Sequence, residues 1–348
     1  MSGAQSNGSR PSLKRRFLSW PTLISFILVP VLAVLLITRF ELDWGSTWER
    51  IRSSNPWWFA LAVLVHYSTF IFRGARWRLL LGNTARNEGS SEKLPSTFYC
   101  GRVILMAWFA NSVTWFRLGD AYRAYAHAED YGTSFPRSMG TVVADRVVDV
   151  VVVFVLLVAA AGVLYAGGDV RPSPLFVALA GAFLLAVTGT LLGMLLLHRW
   201  ISHRLPQTLE DAYHRFHAGT MGSFKRLHWA FILGVIGWLA EVGRLFFVLQ
   251  ALGVPVTLGL VLFVPLANGL LTAVPLTPGG LGIVEPGITG LLMLSLVREE
   301  AVAVALLDRS ISYLSIVVTG GVVFFIRQAQ IARWAVNTRA SASNEGSD

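Results

Sequence analysis

The sequence predicts an all-α, polytopic membrane protein, and three of its features support this fold class. Apolar runs long enough to cross a bilayer recur along the 348 residues. The chain is 54% hydrophobic and only 14% charged, whereas an average soluble domain is about 25% charged. Its formal charge of +9 comes from basic residues that lie mostly between the apolar runs, where they orient a membrane protein. We therefore expect no nucleic-acid binding.

We predict a single transmembrane domain over residues 18–327, between a basic cytoplasmic tail, 1–17, and a disordered cytoplasmic tail, 328–348. The run at 18–38 is long for a signal peptide and lacks a small-residue cleavage site, so we interpret it as a retained first span. We expect a multi-pass protein of the cell membrane with both termini in the cytoplasm. Its clear spans are predicted at residues 18–38, 57–73, 141–166, 175–198, 228–251 and 301–326.

Two further regions, 99–137 and 258–297, are predicted to be re-entrant elements. The loop at 199–226 contains five Lys or Arg residues and is therefore expected on the cytoplasmic side. The loop lies on that side only if region 99–137 enters the membrane from the cytoplasm, turns near residues 115–120 and returns to the cytoplasm without crossing. The second region is interrupted at 275–285, PLTPGGLGIVE, where two prolines and three glycines oppose a continuous helix.

The two re-entrant regions resemble each other. Each has an asparagine at its start, a glycine at its break and an Asp-Arg pair downstream: Asn111, Gly119, Asp145 and Arg146 in the first, and Asn268, Gly279, Asp308 and Arg309 in the second. Such internal similarity is typical of transporters with an inverted repeat, whose broken helices meet near the bilayer midplane. Chance is the alternative explanation for motifs this short.

The broken segment around Gly279 predicts a binding site for an anion. Its glycines, Gly279, Gly280 and Gly282 after Pro278, allow a ligand to approach the backbone, and a helix restarting near Leu281 would direct its free amides at the cavity. A packed kink between helices is the alternative. Glu285 favours a site, because a carboxylate at membrane depth costs roughly 2.5–3.5 kcal/mol and needs a partner or water.

Arginines near the first break are the other candidate ligands. Arg117 and Arg123 carry the guanidinium donors that suit phosphate, and Asp120 shares a helix face with Arg123; binding to the lipid surface is the alternative for both arginines. Arg146, with Asp145 and Asp149 as local partners, and Arg309, beside Asp308, fit either a structural ion pair or a substrate contact. Three arginines at the end of the second span, Arg73, Arg76 and Arg78, are expected to snorkel to headgroups. Glu241 and Arg244 are expected to pair along one helix face.

These motifs resemble the transmembrane region of lysylphosphatidylglycerol synthases, a family also described as flippase-like integral membrane proteins. The resemblance covers about residues 20–327 and rests on RGARWRLLL, ANSVTWFRLGDAYRAY, VADRVVDVVVV and PLTPGGLGIVE with the later LLDRSISYLS. Trp115 stands where the family commonly has proline. The resemblance implies a helical lipid translocase without the additional soluble domain that carries aminoacyl transfer in fused members.

Three functional hypotheses follow. The first is translocation of a lipid with an anionic or zwitterionic headgroup through a polar cavity between the two broken elements. The others are a membrane-embedded transferase acting on a lipid-linked substrate, with Asp120 or Glu285 as general base, and a lipid-binding scaffold. Membrane lipids are the expected partners, with a homo-oligomer or a separate lipid-modifying enzyme as further options. Because no nucleotide, metal or nucleophile motif occurs, we expect no cofactor, metal or catalytic residue. The predicted substrate-binding residues are Asn111, Arg117, Asp120, Arg123, Asp145, Arg146, Asn268, Pro278, Gly279, Gly280, Gly282, Glu285 and Arg309.

Overall fold

The computed structural model of the chain describes residues 44–87, 93–167, 174–197, 202, 204–273 and 277–345. The predicted first span and the basic tail lie outside these residues. Within them the chain forms twelve α-helices, which are α1 Trp44–Arg52, α2 Pro56–Asn87, α3 Thr97–Val113, α4 Leu118–Tyr131, α5 Phe135–Gly167, α6 Pro174–Leu196, α7 Gln207–Gly222, α8 Leu227–Leu252, α9 Leu258–Ala273, α10 Val284–Leu292, α11 Arg298–Arg309 and α12 Ser315–Glu345.

Four stretches of helix are long and apolar enough to cross a bilayer: Pro56–Arg86, Phe135–Gly167, Leu227–Leu252 and Arg298–Arg333. They contain the spans predicted at 57–73, 141–166, 228–251 and 301–326, and α6 overlaps the span predicted at 175–198. The chain is thus an all-α polytopic membrane protein, as predicted. The helix α12 continues to Glu345, across a segment expected to be disordered, because its alanine, arginine and glutamine residues favour helix.

The helices α2 and α8 pack against each other along their length and run antiparallel. The backbone N–H of Asn55, just before α2, donates to the carbonyl of Ala251 near the end of α8 at 2.7 Å. Further along, the Thr69 hydroxyl donates to the Gly237 carbonyl at 3.2 Å. The Asn83 amide, near the end of α2, reaches the carbonyl of Ser223 before α8 begins, at 3.0 Å.

The region 99–137 folds as a helical hairpin of α3 and α4. Its open end is joined by the Tyr99 hydroxyl, which donates to Asp130 at 2.7 Å, and its tip by the Asn111 side chain, which accepts from the Gly119 N–H at 2.8 Å. Only glycine fits at position 119, because a Cβ there would lie 1.9 Å from the Ala107 carbonyl oxygen. The turn therefore falls where the sequence predicts it.

The region 258–297 is also broken, with α9 and α10 packed together on either side of the break. Pro278–Gly280 forms one 3₁₀ turn, and Gly279, Gly280 and Gly282 have φ values of 58°, 73° and 78°, in the left-handed region that glycine tolerates. The next helix begins at Val284 rather than near Leu281, because the left-handed Gly282 interrupts it.

Each hairpin packs against the long helix of the other half. The Phe109 ring of α3 lies 5.5 Å, between centroids, from the Phe324 ring of α12, while Gly259 of α9 abuts Leu164 of α5. The order long helix, broken hairpin, long helix thus occurs twice, in α2–α5 and in α8–α12. The equivalent helices α2 and α8 are antiparallel, which is the arrangement that an inverted repeat requires.

Candidate functional site

A cavity of about 400 Å³ lies between the two broken hairpins. Both hairpin breaks and both long helices of each half contribute to its wall. Eight of the predicted site residues line it: Asn111, Arg117, Asp120, Arg146, Asn268, Gly279, Gly280 and Arg309. The sequence therefore identifies the two segments that meet at the cavity.

Five other predicted site residues do not line the cavity: Arg123, Asp145, Pro278, Gly282 and Glu285. Arg123 and Asp145 are buried, with 2% of each residue exposed, and pair with each other at 2.7 Å. They hold α4 against α5 behind the cavity wall. Glu285 lies behind Arg309, as described below.

The carboxylate of Asp120, in the first turn of α4, binds the guanidinium of Arg146 through two contacts. Arg146 Nε donates to Asp120 at 3.0 Å and a terminal nitrogen donates at 2.5 Å. Asp149 accepts a further bond from Arg146 at 3.3 Å. This geometry fixes Arg146 at the cavity wall while its side chain remains 29% exposed.

Arg117 sits at the tip of the first hairpin with its charge only partly compensated. One terminal nitrogen donates to the Thr272 carbonyl at 2.9 Å, while Nε has no hydrogen-bond partner and lies 3.6 Å from Asp120. The guanidinium of Arg117 also lies near the like charge of Arg146, and arginine stays cationic in proteins. An anion placed between Arg117 and Arg146 would relieve this repulsion.

Two of the arginines expected to snorkel are instead buried in an ion network. Arg76, 1% exposed, donates to Asp145 at 2.7 Å and to Asp149 at 2.8 Å. Arg73 donates to Asp149 at 3.2 Å and lines the cavity. The snorkelling expectation was wrong for both, because carboxylates from a distant part of the chain reach them inside the bundle. Arg78 donates to the Pro95 carbonyl at 2.9 Å.

In the second half, Glu285 holds Arg309 rather than facing the cavity. Arg309 Nε donates to one Glu285 oxygen at 2.8 Å, and the Gly282 N–H donates to the other at 2.7 Å. Arg309 also donates to the Gly279 carbonyl at 3.0 Å. The carboxylate thereby fixes both the arginine and the glycine-rich turn, and a neutral or anionic group can reach Arg309 from the cavity.

A second buried cluster surrounds Arg244 on α8. Arg244 binds Asp308 through Nε at 2.8 Å and through a terminal nitrogen at 3.2 Å, and it also contacts Glu241, as the sequence predicts. The same guanidinium lies 3.2 Å from His66 Nδ1. The same His66 nitrogen lies 3.5 Å from a carboxylate oxygen of Glu241.

Asp149 is a partner of Arg146, as expected, whereas Asp145 is not and binds Arg76 and Arg123. Asp145 and Arg146 bind different groups, and so do Asp308 and Arg309, because adjacent helical residues point away from each other. Other cavity residues were missed as site residues, chief among them Arg73, Trp108, Asp149 and Trp238. The Arg73 guanidinium lies 5.3 Å from the Trp108 ring centroid and 5.1 Å from that of Trp238, an arrangement for which the sequence holds no local signal.

Comparison with known proteins identifies a family of membrane proteins. The family model described as "Lysylphosphatidylglycerol synthase TM region" matches residues 22–320. A UPF0104 membrane protein of Methanothermobacter thermautotrophicus is 27% identical over 76% of this chain and 81% of its own length, and one of Methanocaldococcus jannaschii is 31% identical over 66% of this chain and 99% of its own. Glycosyltransferase AglD of Haloferax volcanii is 27% identical over 90% of this chain, which spans 55% of that relative. This chain belongs to the lysylphosphatidylglycerol synthase transmembrane-region family.

Proposed function

We propose that the protein moves a lipid with an anionic headgroup between the two leaflets of a membrane. The observation that carries this proposal is the arginine-lined cavity between two broken hairpins of an otherwise apolar helical bundle. Broken helices that meet in such a cavity are a recurrent way to bind a polar substrate inside a membrane.

The charge around the cavity favours an anion. In the first half, five arginines face three carboxylates: Arg73, Arg76, Arg117, Arg123 and Arg146 against Asp120, Asp145 and Asp149. Charges inside an apolar bundle are costly unless paired, so a phosphate group would compensate the excess. Arg117 and Arg146 are the guanidinium groups best placed to bind it from the cavity.

The apolar part of the wall favours a lipid over a soluble anion. Val150, Val153 and Phe154 of α5 and Phe183 of α6 line the same cavity as the arginines. A lipid presents a charged headgroup and apolar tails together, and this wall matches both. We propose that the headgroup occupies the cavity while the tails stay in the bilayer.

The inverted repeat suggests how the headgroup would cross. In transporters built from two such halves, one half rocks against the other around the binding site, which opens to each side of the membrane in turn. We extend the proposal to a multi-pass protein of the cell membrane with cytoplasmic termini, acting without a catalytic group. Membrane lipids are its proposed partners, and a second copy or a separate lipid-modifying enzyme could supply or accept them.

Reconstitution tests this proposal. Purified protein is placed in liposomes that contain phosphatidylglycerol with a fluorophore on an acyl chain, and the fluorophore is bleached from outside with dithionite. We expect bleaching of lipid from both leaflets, whereas protein-free liposomes lose only the outer-leaflet signal. Binding of the lipid without flipping would favour the scaffold hypothesis.

A transferase is the second candidate, because one relative is named a glycosyltransferase. This activity would change the mass of a lipid, whereas translocation leaves it unchanged. Mass spectrometry of the liposome lipids after incubation with membrane extract therefore separates the two candidates.

A further inference from the structure

The two halves differ at one pair of equivalent positions beside the cavity. In the first half, Arg73 lies three residues before Arg76 and pairs with Asp149, four residues after Asp145, at 3.2 Å. In the second half, Arg244 and Asp308 occupy the positions of Arg76 and Asp145 and form the equivalent ion pair. Glu241 lies three residues before Arg244, and Ser312 lies four residues after Asp308. A carboxylate and a hydroxyl thus replace the ion pair of Arg73 and Asp149.

The second half presents oxygen atoms that have no partner. Glu241 Oε1 and Ser312 Oγ are buried and form no hydrogen bond, although both residues line the cavity. The same holds for Asn268 Oδ1 and Thr277 Oγ1. Glu241 is only 6% exposed, and a buried polar atom without a partner is costly. The Glu241 and Asn268 oxygens are acceptors and the two hydroxyl oxygens can accept as well, so a cation in the cavity would satisfy those that it contacts.

The arginines and carboxylates beside the cavity in the second half are also unbalanced in charge. Arg244 and Arg309 face three carboxylates, those of Glu241, Glu285 and Asp308. Counted over these two arginines and three carboxylates, one negative charge is in excess. The first half has the opposite excess.

The local backbone places Ser312 in this position. Ser310–Leu314 forms a π-helical turn between α11 and α12, and such turns occur frequently at functional sites because they redirect a side chain. Ser310, in the same turn, donates its hydroxyl to the Leu307 carbonyl at 2.7 Å. Two hydroxyls of one turn therefore differ, one being satisfied by the backbone and one facing the cavity.

We propose that Glu241 and Ser312, with the carbonyl oxygen of Asn268, bind a monovalent metal cation at the second-half wall of the cavity. Carboxylate, carbonyl and hydroxyl oxygens are the ligands that alkali and other hard cations take. The single excess negative charge selects a monovalent ion, and no cluster of three His, Cys, Asp or Glu residues that would favour a multivalent metal occurs in the described part of the chain. If the proposed translocation is correct, on which this step rests, the ion gradient is the source of energy.

Thermal unfolding of the purified protein in detergent tests the site. Sodium chloride and potassium chloride are titrated at constant ionic strength against choline chloride, whose cation is too large for the site. At least one of the two metal ions is expected to raise the unfolding temperature, because a ligand of the folded state stabilises it. Ser312→Ala should weaken the apparent affinity about tenfold, the loss of roughly one ligand bond. The matched control Ser310→Ala should leave it unchanged.

Ser312→Ala leaves the ion pair of Arg244 and Asp308 intact, so it avoids the folding defect that Glu241→Gln could cause. Equal unfolding temperatures in sodium, potassium and choline would overturn the site. So would a stabilisation that Ser312→Ala leaves unchanged or that Ser310→Ala weakens equally. Lipid flipping that proceeds at one rate in sodium, potassium and choline would overturn the coupling alone, and the proposed translocation would stand.

Discussion

Arg244 donates through Nε to Asp308 at 2.8 Å, deep inside the bundle. Arg76 makes the same contact with Asp145, through the same nitrogen, at 2.7 Å. In each half an arginine of the first long helix thus binds the aspartate of an Asp-Arg pair, and the neighbouring arginine binds a carboxylate of the hairpin. These repeated contacts join helices that are distant in sequence and bring both hairpin breaks to one cavity.

Arg76→Met is expected to destabilise the protein by about 3–5 kcal/mol, because removing one member of a buried pair leaves the other charge uncompensated. Arg76 is 1% exposed and binds both Asp145 and Asp149. Denaturant unfolding in detergent would measure the change. Arg50→Met is the control, since Arg50 pairs with Glu300 at the surface, where such contacts contribute about 0–1 kcal/mol. Equal stability of the two variants would contradict the account.

Gly119→Ala is expected to prevent the first hairpin from closing. Its Cβ would lie 1.9 Å from the Ala107 carbonyl oxygen and 2.7 Å from Asn111 Oδ1, and a backbone atom cannot yield without moving the helix. Size-exclusion chromatography should show loss of folded, monodisperse protein. Gly290→Ala is the matched control, because a Cβ there meets no atom within 4 Å and alanine favours helix. A Gly119→Ala protein that behaves like the wild type would disprove the close packing.

The inverted repeat predicts opposite sides for the starts of α3 and α9. In a Cys100→Ser background, which removes the only cysteine, single cysteines are placed at Phe98, 79% exposed, and Leu258, 66% exposed. A membrane-impermeant maleimide should label Phe98→Cys only from the cytoplasmic side and Leu258→Cys only from the outside, while both react in detergent. Labelling of both from one side would exclude the proposed orientation.

Glu285→Gln is expected to slow lipid flipping about tenfold, the usual effect of removing a group that orients a ligand-binding side chain. The carboxylate holds Arg309 at 2.8 Å and the Gly282 N–H at 2.7 Å, and an amide cannot balance the arginine charge. The dithionite assay would measure the rate. The control Glu300→Gln loses only a surface contact with Arg50; if both variants flipped lipid equally fast, Glu285 would have no role in positioning Arg309.

Local signals made much of this fold predictable. The helix breaks were located because proline and glycine act at their own positions: the 3₁₀ turn at Pro278–Gly280 and the tight approach at Gly119 follow from residue type alone. The segments that line the cavity could therefore be identified from the sequence. The similarity of the two broken regions was visible because they share asparagine, glycine and Asp-Arg landmarks.

The partners of the charged residues could not be read in the same way. Arg73 and Arg76 are separated from Asp149 and Asp145 by about seventy residues, so only the packing of α2 on α5 brings them together. Glu285 was expected to contact the headgroup, but both its oxygens are taken within the protein. Helical spacing predicts on which face of its own helix a residue lies. It does not predict which other helix packs against that face.

The central claim, that an anionic headgroup passes through the cavity beside Arg117, is tested most directly by the rate at which Arg117→Gln flips phosphatidylglycerol in liposomes. Arg117 lines the cavity, and its Nε has no hydrogen-bond partner; its loss removes one hydrogen bond to the Thr272 carbonyl but also relieves the repulsion from Arg146. We predict a rate at least about tenfold below wild type, the loss of one charge-assisted hydrogen bond, with unchanged thermal stability and with Arg50→Gln at the wild-type rate. Flipping by Arg117→Gln at the wild-type rate would contradict the account.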